Sequence, residues 1–78
     1  MRITPDQCRG ASALLQMTQE QLAASSGVSL RTISHFEKGE RTLIPANNAA
    51  LRRAFEEAGV EFIPENGGGV GVRFRTPR

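Results

Sequence analysis

Residues 18–39 read TQEQLAASSGVSLRTISHFEKG, and the fold turns on them. Thr18 and Gln21, three residues on, form a capping box, in which a hydroxyl and a side-chain amide satisfy orphan N–H groups at a helix start. The helix opened there carries Leu22 and Ala23 and ends near Ser25. Gly27 stands where a sharp turn requires positive φ. Ser29 caps the next helix, spanning 29–38, whose buried side is Val28, Ile33 and Phe36, and Gly39 terminates it. Two short helices can cross this closely only under three conditions. A small residue must sit where the second helix approaches the first, the turn must tolerate a left-handed backbone, and the second helix must be anchored inward. Ala23, Gly27, and the pair Ile33 and Phe36 meet these conditions in turn.

That spacing is the helix-turn-helix arrangement. With Ile33 and Phe36 turned inward, the opposite side of the second helix presents Leu30, Arg31, Ser34, His35 and Lys38. Those side chains can reach into a major groove. Arg31 can donate two bonds to a guanine edge, worth about 1–3 kcal/mol of discrimination. Ser34 and His35 can make single base or phosphate contacts, and Leu30 can pack on a thymine methyl. Thr18 and Gln19 open the first helix, where free N–H groups and a side-chain amide can grip a phosphate. Arg41 is placed to meet the backbone beyond the second helix.

On the N-terminal side, Thr4-Pro5 reads as an N-cap and first helical proline. Cys8, Ala11, Leu14 and Leu15 recur at helical spacing and predict a helix over 5–16. On the C-terminal side, Pro45 begins a helix that runs to Ala58 and is ended by Gly59. Its apolar stripe is Ile44, Leu51, Ala54, Phe55 and Ala58. Asn48 interrupts that stripe, and a buried amide without partners costs about 1–3 kcal/mol. It must therefore stay wet or find a bonding partner. After Gly59 the period changes from helical to two. Residues 60–63 read as a short strand, 65–69 as a turn containing Asn66-Gly67, and 70–75 as a second strand. Residues 76–78 are expected to fray.

The stretch QEQLAASSGVSLRTISHFEKGER is similar, nearly position by position, to the motif of Cro/cI-type (XRE-like) helix-turn-helix regulators. The resemblance covers residues 5–59, and the tail GVEFIPENGGGVGVRFR resembles that of small bacterial members that end in a β-hairpin. It implies a mainly α domain of four or five helices over 1–59, followed by a two-stranded hairpin within 60–78. It also implies sequence-specific binding of double-stranded DNA, usually as a dimer. The family places DNA contacts at the positions held by Gln19, Ser29, Leu30, Arg31, Ser34, His35 and Lys38; with Thr18, Thr32 and Arg41 these are the candidate DNA-binding residues. Two positions depart from the pattern. Ser12 stands where many members carry an arginine that pairs with the glutamate held here by Glu37, leaving Glu37 unpaired or matched to Arg9 or Arg41. Asn48 stands where leucine is usual.

The rest of the composition narrows the choices. A chain of 78 residues allows one small domain, whose core alone supplies roughly 3–5 kcal/mol. One cysteine excludes disulfides, and one cysteine with one histidine cannot complete a zinc site within the chain, so no metal or cofactor is expected. Cys8 reads as a small core residue. The net charge of +2 is unevenly spread, with Arg73, Arg75 and Arg78 in the tail against an acidic stretch around Glu56, Glu57, Glu61 and Glu65. Arg52 and Arg53 read as a solvated helix face. The run Gly67-Gly68-Gly69 is no phosphate loop, because the single lysine, Lys38, is followed by Gly39. No catalytic constellation appears. Neither an apolar run long enough for a bilayer nor a secretory leader is evident, and a cytoplasmic setting is expected.

An isolated two-stranded hairpin is marginal in water. Val60, Phe62, Ile63, Val70, Val72 and Phe74 therefore need cover, either from the preceding helix or from the hairpin of a second chain. The second option is preferred, since it would cover an open strand edge and bring two recognition helices to one face. The function expected is a repressor that binds a palindromic operator as a homodimer. The rival is a helix-turn-helix module that binds another protein, as an antiactivator or antitoxin does.

Overall fold

A computed structural model describes residues 1–76; Pro77 and Arg78, and with them most of the expected frayed end, lie outside the described residues. The elements are α1 (Pro5–Leu15), α2 (Gln19–Ser26), α3 (Leu30–Glu37), α4 (Pro45–Glu57), β1 (Val60–Ile63) and β2 (Gly71–Phe74). Four helices thus precede one antiparallel hairpin. None of the described helices is long and apolar enough to cross a membrane.

The helix starts follow the caps. Thr4 and Thr18 each form a complete capping box, with Gln7 and Gln21 respectively, and the Ser29 hydroxyl accepts the N–H of Thr32. Gly27 ends α2 at φ 78°, a left-handed conformation that costs glycine nothing and lets the chain reverse into α3. α4 begins at Pro45 with no side-chain cap.

One apolar cluster joins every element. Cys8 and Ala11 from α1, Leu22 from α2, Ile33 and Phe36 from α3, and Leu51, Ala54 and Phe55 from α4 meet Val28, Leu43 and Val60 at its centre. The expected stripe of α4 needs one correction. Ile44 is exposed, because it is the N-cap residue and points away from the helix's inner face. Its neighbour Leu43 takes the buried place, and Ile3 adds a further core residue from ahead of α1.

Asn48 is buried and fully satisfied. Its Oδ1 accepts the N–H of Ile3 at 2.9 Å, and its Nδ2 donates to the Ile3 carbonyl at 3.0 Å. The amide thus pairs with one residue's backbone as a neighbouring strand would. It seats Ile3 in the core and holds the chain ahead of α1 against α4. Arg2 reinforces this by donating to the Leu43 carbonyl at 2.6 Å.

The hairpin pairs Val60 with Phe74, Glu61 with Arg73, Phe62 with Val72 and Ile63 with Gly71. Strand alternation puts Val60, Phe62, Val72 and Phe74 on one face and Glu61, Arg73 and Ile63 on the other. The first face lies against α1 and α4 of the same chain. Val60 is wholly buried, Phe62 and Val72 pack on the core, and Phe62 meets the Phe55 ring edge-on at 6.0 Å. Gly10 makes this approach possible, since a Cβ there would lie 3.1 Å from Val72 Cγ2. Gln7 completes the seam, its Nε2 donating to the carbonyls of Gly71 (3.1 Å) and Ile63 (3.3 Å). Of the two covers anticipated for these side chains, the chain's own helices supply one directly. α1 shares this role with α4, which the sequence reading did not foresee. The strands are also shorter at the second arm than 70–75. They are joined by residues 64–70 and not by a two-residue Asn66-Gly67 turn. Glu65 closes that loop by accepting the N–H groups of Gly67 (2.8 Å) and Gly69 (2.9 Å), which holds its carboxyl below the usual glutamate range.

Replacing Asn48 with alanine leaves the Ile3 N–H and carbonyl buried and unpaired. Asn48→Ala is expected to lower stability by about 1–3 kcal/mol, read from urea unfolding followed by circular dichroism.

Candidate nucleic-acid interface

α3 has two sides of opposite character. Ile33 and Phe36 are buried, while Arg31 and Lys38 are exposed and Leu30 keeps 41% of its surface in solvent. Thr32, Ser34 and His35 are half-buried along the flank. No other described element covers the outer side. α2 crosses behind α3, and α1 packs on the same inner side through Cys8. The eight-residue helix and its C-cap Lys38 therefore present Arg31 and Lys38 to solvent along one edge.

The individual candidates differ in what they have free. The Ser29 hydroxyl is committed locally, accepting from Thr32 N at 3.2 Å and donating to Thr32 Oγ1 at 2.8 Å. Thr18 is likewise occupied by its capping box, its hydroxyl taking Gln21 N at 3.0 Å and its own N–H reaching Gln21 Oε1 at 2.8 Å. What α2 can offer an anion is the first-turn N–H groups of Gln19 and Glu20, which have no acceptor inside the helix. The Gln19 side chain turns to α3 and commits one of its two amide hydrogens to Glu37 Oε1 at 2.9 Å.

Glu37 thereby finds partners without the arginine of the family pattern. Its second oxygen accepts the Cys8 thiol at 3.2 Å. Arg9 reaches the backbone carbonyl of Glu37 rather than its carboxylate and also pairs with Asp6. Ser12, in the expected arginine's place, keeps a buried hydroxyl that makes no hydrogen bond among the described residues. One carboxylate thus links α1, α2 and α3. Burial, and then the hydrogen bond and charge of Glu37, push the Cys8 thiol far above its ordinary pKa.

Past α3, Gly39 turns the chain back and sets Glu40 beside His35, with Nδ1 and Oε1 3.4 Å apart. Arg41 follows, and together with Arg31, Thr32 and His35 it lines an open cleft of about 190 Å³. Organic-ligand pockets run roughly 300–1,000 Å³, so this one suits a small group. The grouping was not legible beforehand, because it joins the start of α3 to a loop past its end. Only Gly39, as a point of reversal, hinted at it. Arg52, read as solvated, is half-buried, and its Nε makes no hydrogen bond among the described residues.

Among protein-family models, residues 13–50 match one described as Helix-turn-helix. This match supports the resemblance to Cro/cI-type helix-turn-helix regulators. The matched stretch runs from the end of α1 through the first turns of α4 and contains both crossing helices. Helix-turn-helix domains of this family bind DNA and are not catalytic. A search of the curated proteins returns no match for this chain.

The Cys8 environment has a measurable consequence within the helix-turn-helix domain. A thiol whose pKa is raised by folding stabilises the native state fully below its unfolded value and loses that contribution as pH rises. The chain has no tyrosine and a single lysine, so few other groups titrate in that range. The urea midpoint is expected to fall from about pH 9 upward, and Cys8→Ala to flatten that fall. The same burial predicts that a thiol reagent labels Cys8 only after unfolding.

Proposed function

We propose that this protein is a sequence-specific transcriptional repressor that binds a palindromic operator as a homodimer, with α3 as the recognition helix. The observation that carries the reading is the uncovered outer side of α3, where Leu30, Arg31 and Lys38 are exposed, with His35 on the flank, while Ile33 and Phe36 are buried. Arg31 reads a base, since it lies at the N-terminal end of the helix that would enter the groove. Leu30 and Ser34 flank it on the base side. Lys38 and Arg41, with the first N–H groups of α2, take phosphates and set the register. Bound at its operator, the dimer would occlude a promoter.

Half-sites read by such a dimer lie about 34–36 Å apart, one turn of DNA. The hairpin remains the proposed meeting point, with its role narrowed by what its own chain already covers. Val70 keeps 41% of its surface exposed, and β2 has no strand beyond it among the described residues. An edge of this kind favours pairing with the same edge of a second copy. Val70→Lys is expected to leave the fold intact and shift sedimentation equilibrium toward the monomer. An unchanged distribution would move the interface elsewhere. Removing residues 60–78 is a poor substitute, since it would take Val60 out of the core.

Selection of bound duplexes from a random pool supplies the operator. Against it, Arg31→Ala is expected to reduce discrimination at one base position by about 1–3 kcal/mol while leaving affinity for random duplex nearly unchanged. Identical base preferences in wild type and variant would remove Arg31 from the readout. A wild-type protein that shifts no duplex at low salt and captures a protein partner would instead support the interaction-module reading.

A further inference from the structure

The cleft between α3 and the loop that follows it brings together groups of unlike charge behaviour. Arg31 and Arg41 carry permanent positive charge, Thr32 offers a hydroxyl, and His35 is the chain's one imidazole. Glu40 stands 3.4 Å from the His35 ring, close enough to pair with it when the ring is protonated. The cleft is too small for an organic ligand of ordinary size and open on one side. It lies on the same side of the molecule as the exposed Arg31 of the recognition helix.

We propose that this cleft is a proton-linked phosphate site: it seats one phosphodiester of bound DNA beside Arg41, with Arg31 left to its base, and His35 joins Arg41 only in its protonated form. The proposal deepens the DNA-binding reading and rests on it. With His35 neutral, the cleft holds two positive charges and the nearby negative charge of Glu40. With His35 protonated, the imidazolium offsets Glu40, and an incoming phosphate meets a more positive site. A ring that gains a proton adds a positive charge to the cleft, so the affinity itself becomes a function of pH. Phosphate stabilises the charged ring, so binding takes up a proton.

Other charges around α3 are committed or lie outside the lining of this cleft. On α3, Glu37 is engaged by Cys8 and Gln19, and the C-cap Lys38 is exposed outside the cleft lining. From α1, Arg9 is taken by Asp6 and the Glu37 carbonyl. From α2, the one charge is Glu20, exposed in the first turn. The group that His35 answers to is therefore Glu40 when free and phosphate when bound.

The test is fluorescence anisotropy with a random-sequence duplex, at several salt concentrations, at about pH 5.5 and about pH 8, with circular dichroism verifying the fold at both. Wild type should bind about three- to tenfold more tightly at the lower pH, the range for a coupling of up to one pH unit. The salt dependence should steepen there by about 0.9, as one more phosphate charge is neutralised. His35→Gln should bind with the weaker affinity at both values. His35→Lys, a fixed cation, should keep the tighter binding at pH 8. Glu40→Gln should tighten binding at pH 8, where wild type is weakest. A wild-type affinity independent of pH, or a pH dependence that survives in His35→Gln, overturns the proposal while leaving DNA binding intact. A protein that binds no duplex at either pH overturns both readings.

Discussion

Burial of Ile33 and Phe36 is the constraint on which the rest of the molecule depends. α3 has eight residues, too few to persist as a helix alone in water. Each of these side chains, buried to 4% exposure or less, contributes about 1.5–3 kcal/mol on leaving water. Their position also fixes the rotation of the helix. Once they point inward, Arg31 and Lys38 have nowhere to go but outward, and His35 must lie on the flank that faces the following loop. The placement of every candidate DNA contact on α3 is thus a consequence of two apolar side chains.

Polar groups then set the geometry that apolar burial leaves loose. Hydrophobic contact has no direction, whereas a buried amide or carboxylate is satisfied in few arrangements. Gln7, Asn48 and Glu37 each span between elements. Gln7 caps α1 and holds both strands at the loop end of the hairpin. Asn48 ties the chain ahead of α1 to α4. Glu37 binds a thiol from α1 and an amide from α2. The three together lock α1 against every other part of the domain. Substituting a neutral pair of donors for an arginine at Glu37 keeps the carboxylate satisfied without a salt bridge.

The hairpin is part of the same core. Val60 belongs to the cluster that holds Leu22, Ile33 and Phe55, and the apolar face of the strands closes over α1 and α4. The outward face carries the Glu61–Arg73 pair and so is polar where the inward face is not. A chain this short gains from such closure, because its surface is large relative to the volume it can bury.

The helices and their ends were readable because caps, glycines and apolar spacing act within a few residues of one another. Thr4, Thr18, Ser29 and Gly27 each do locally what their chemistry suggests. The inward turn of Ile33 and Phe36 followed from spacing alone, and with it the exposed side led by Arg31. Tertiary structure decided the matters that depend on distant partners. It gave Asn48 the backbone of Ile3, gave Glu37 Cys8 and Gln19, turned Ile44 outward in favour of Leu43, and laid the hairpin across α1 at Gly10. It also drew Arg31, His35 and Arg41 around one cleft. Local sequence determines which groups a segment can satisfy by itself; the groups left over are matched only when folding brings remote segments into contact.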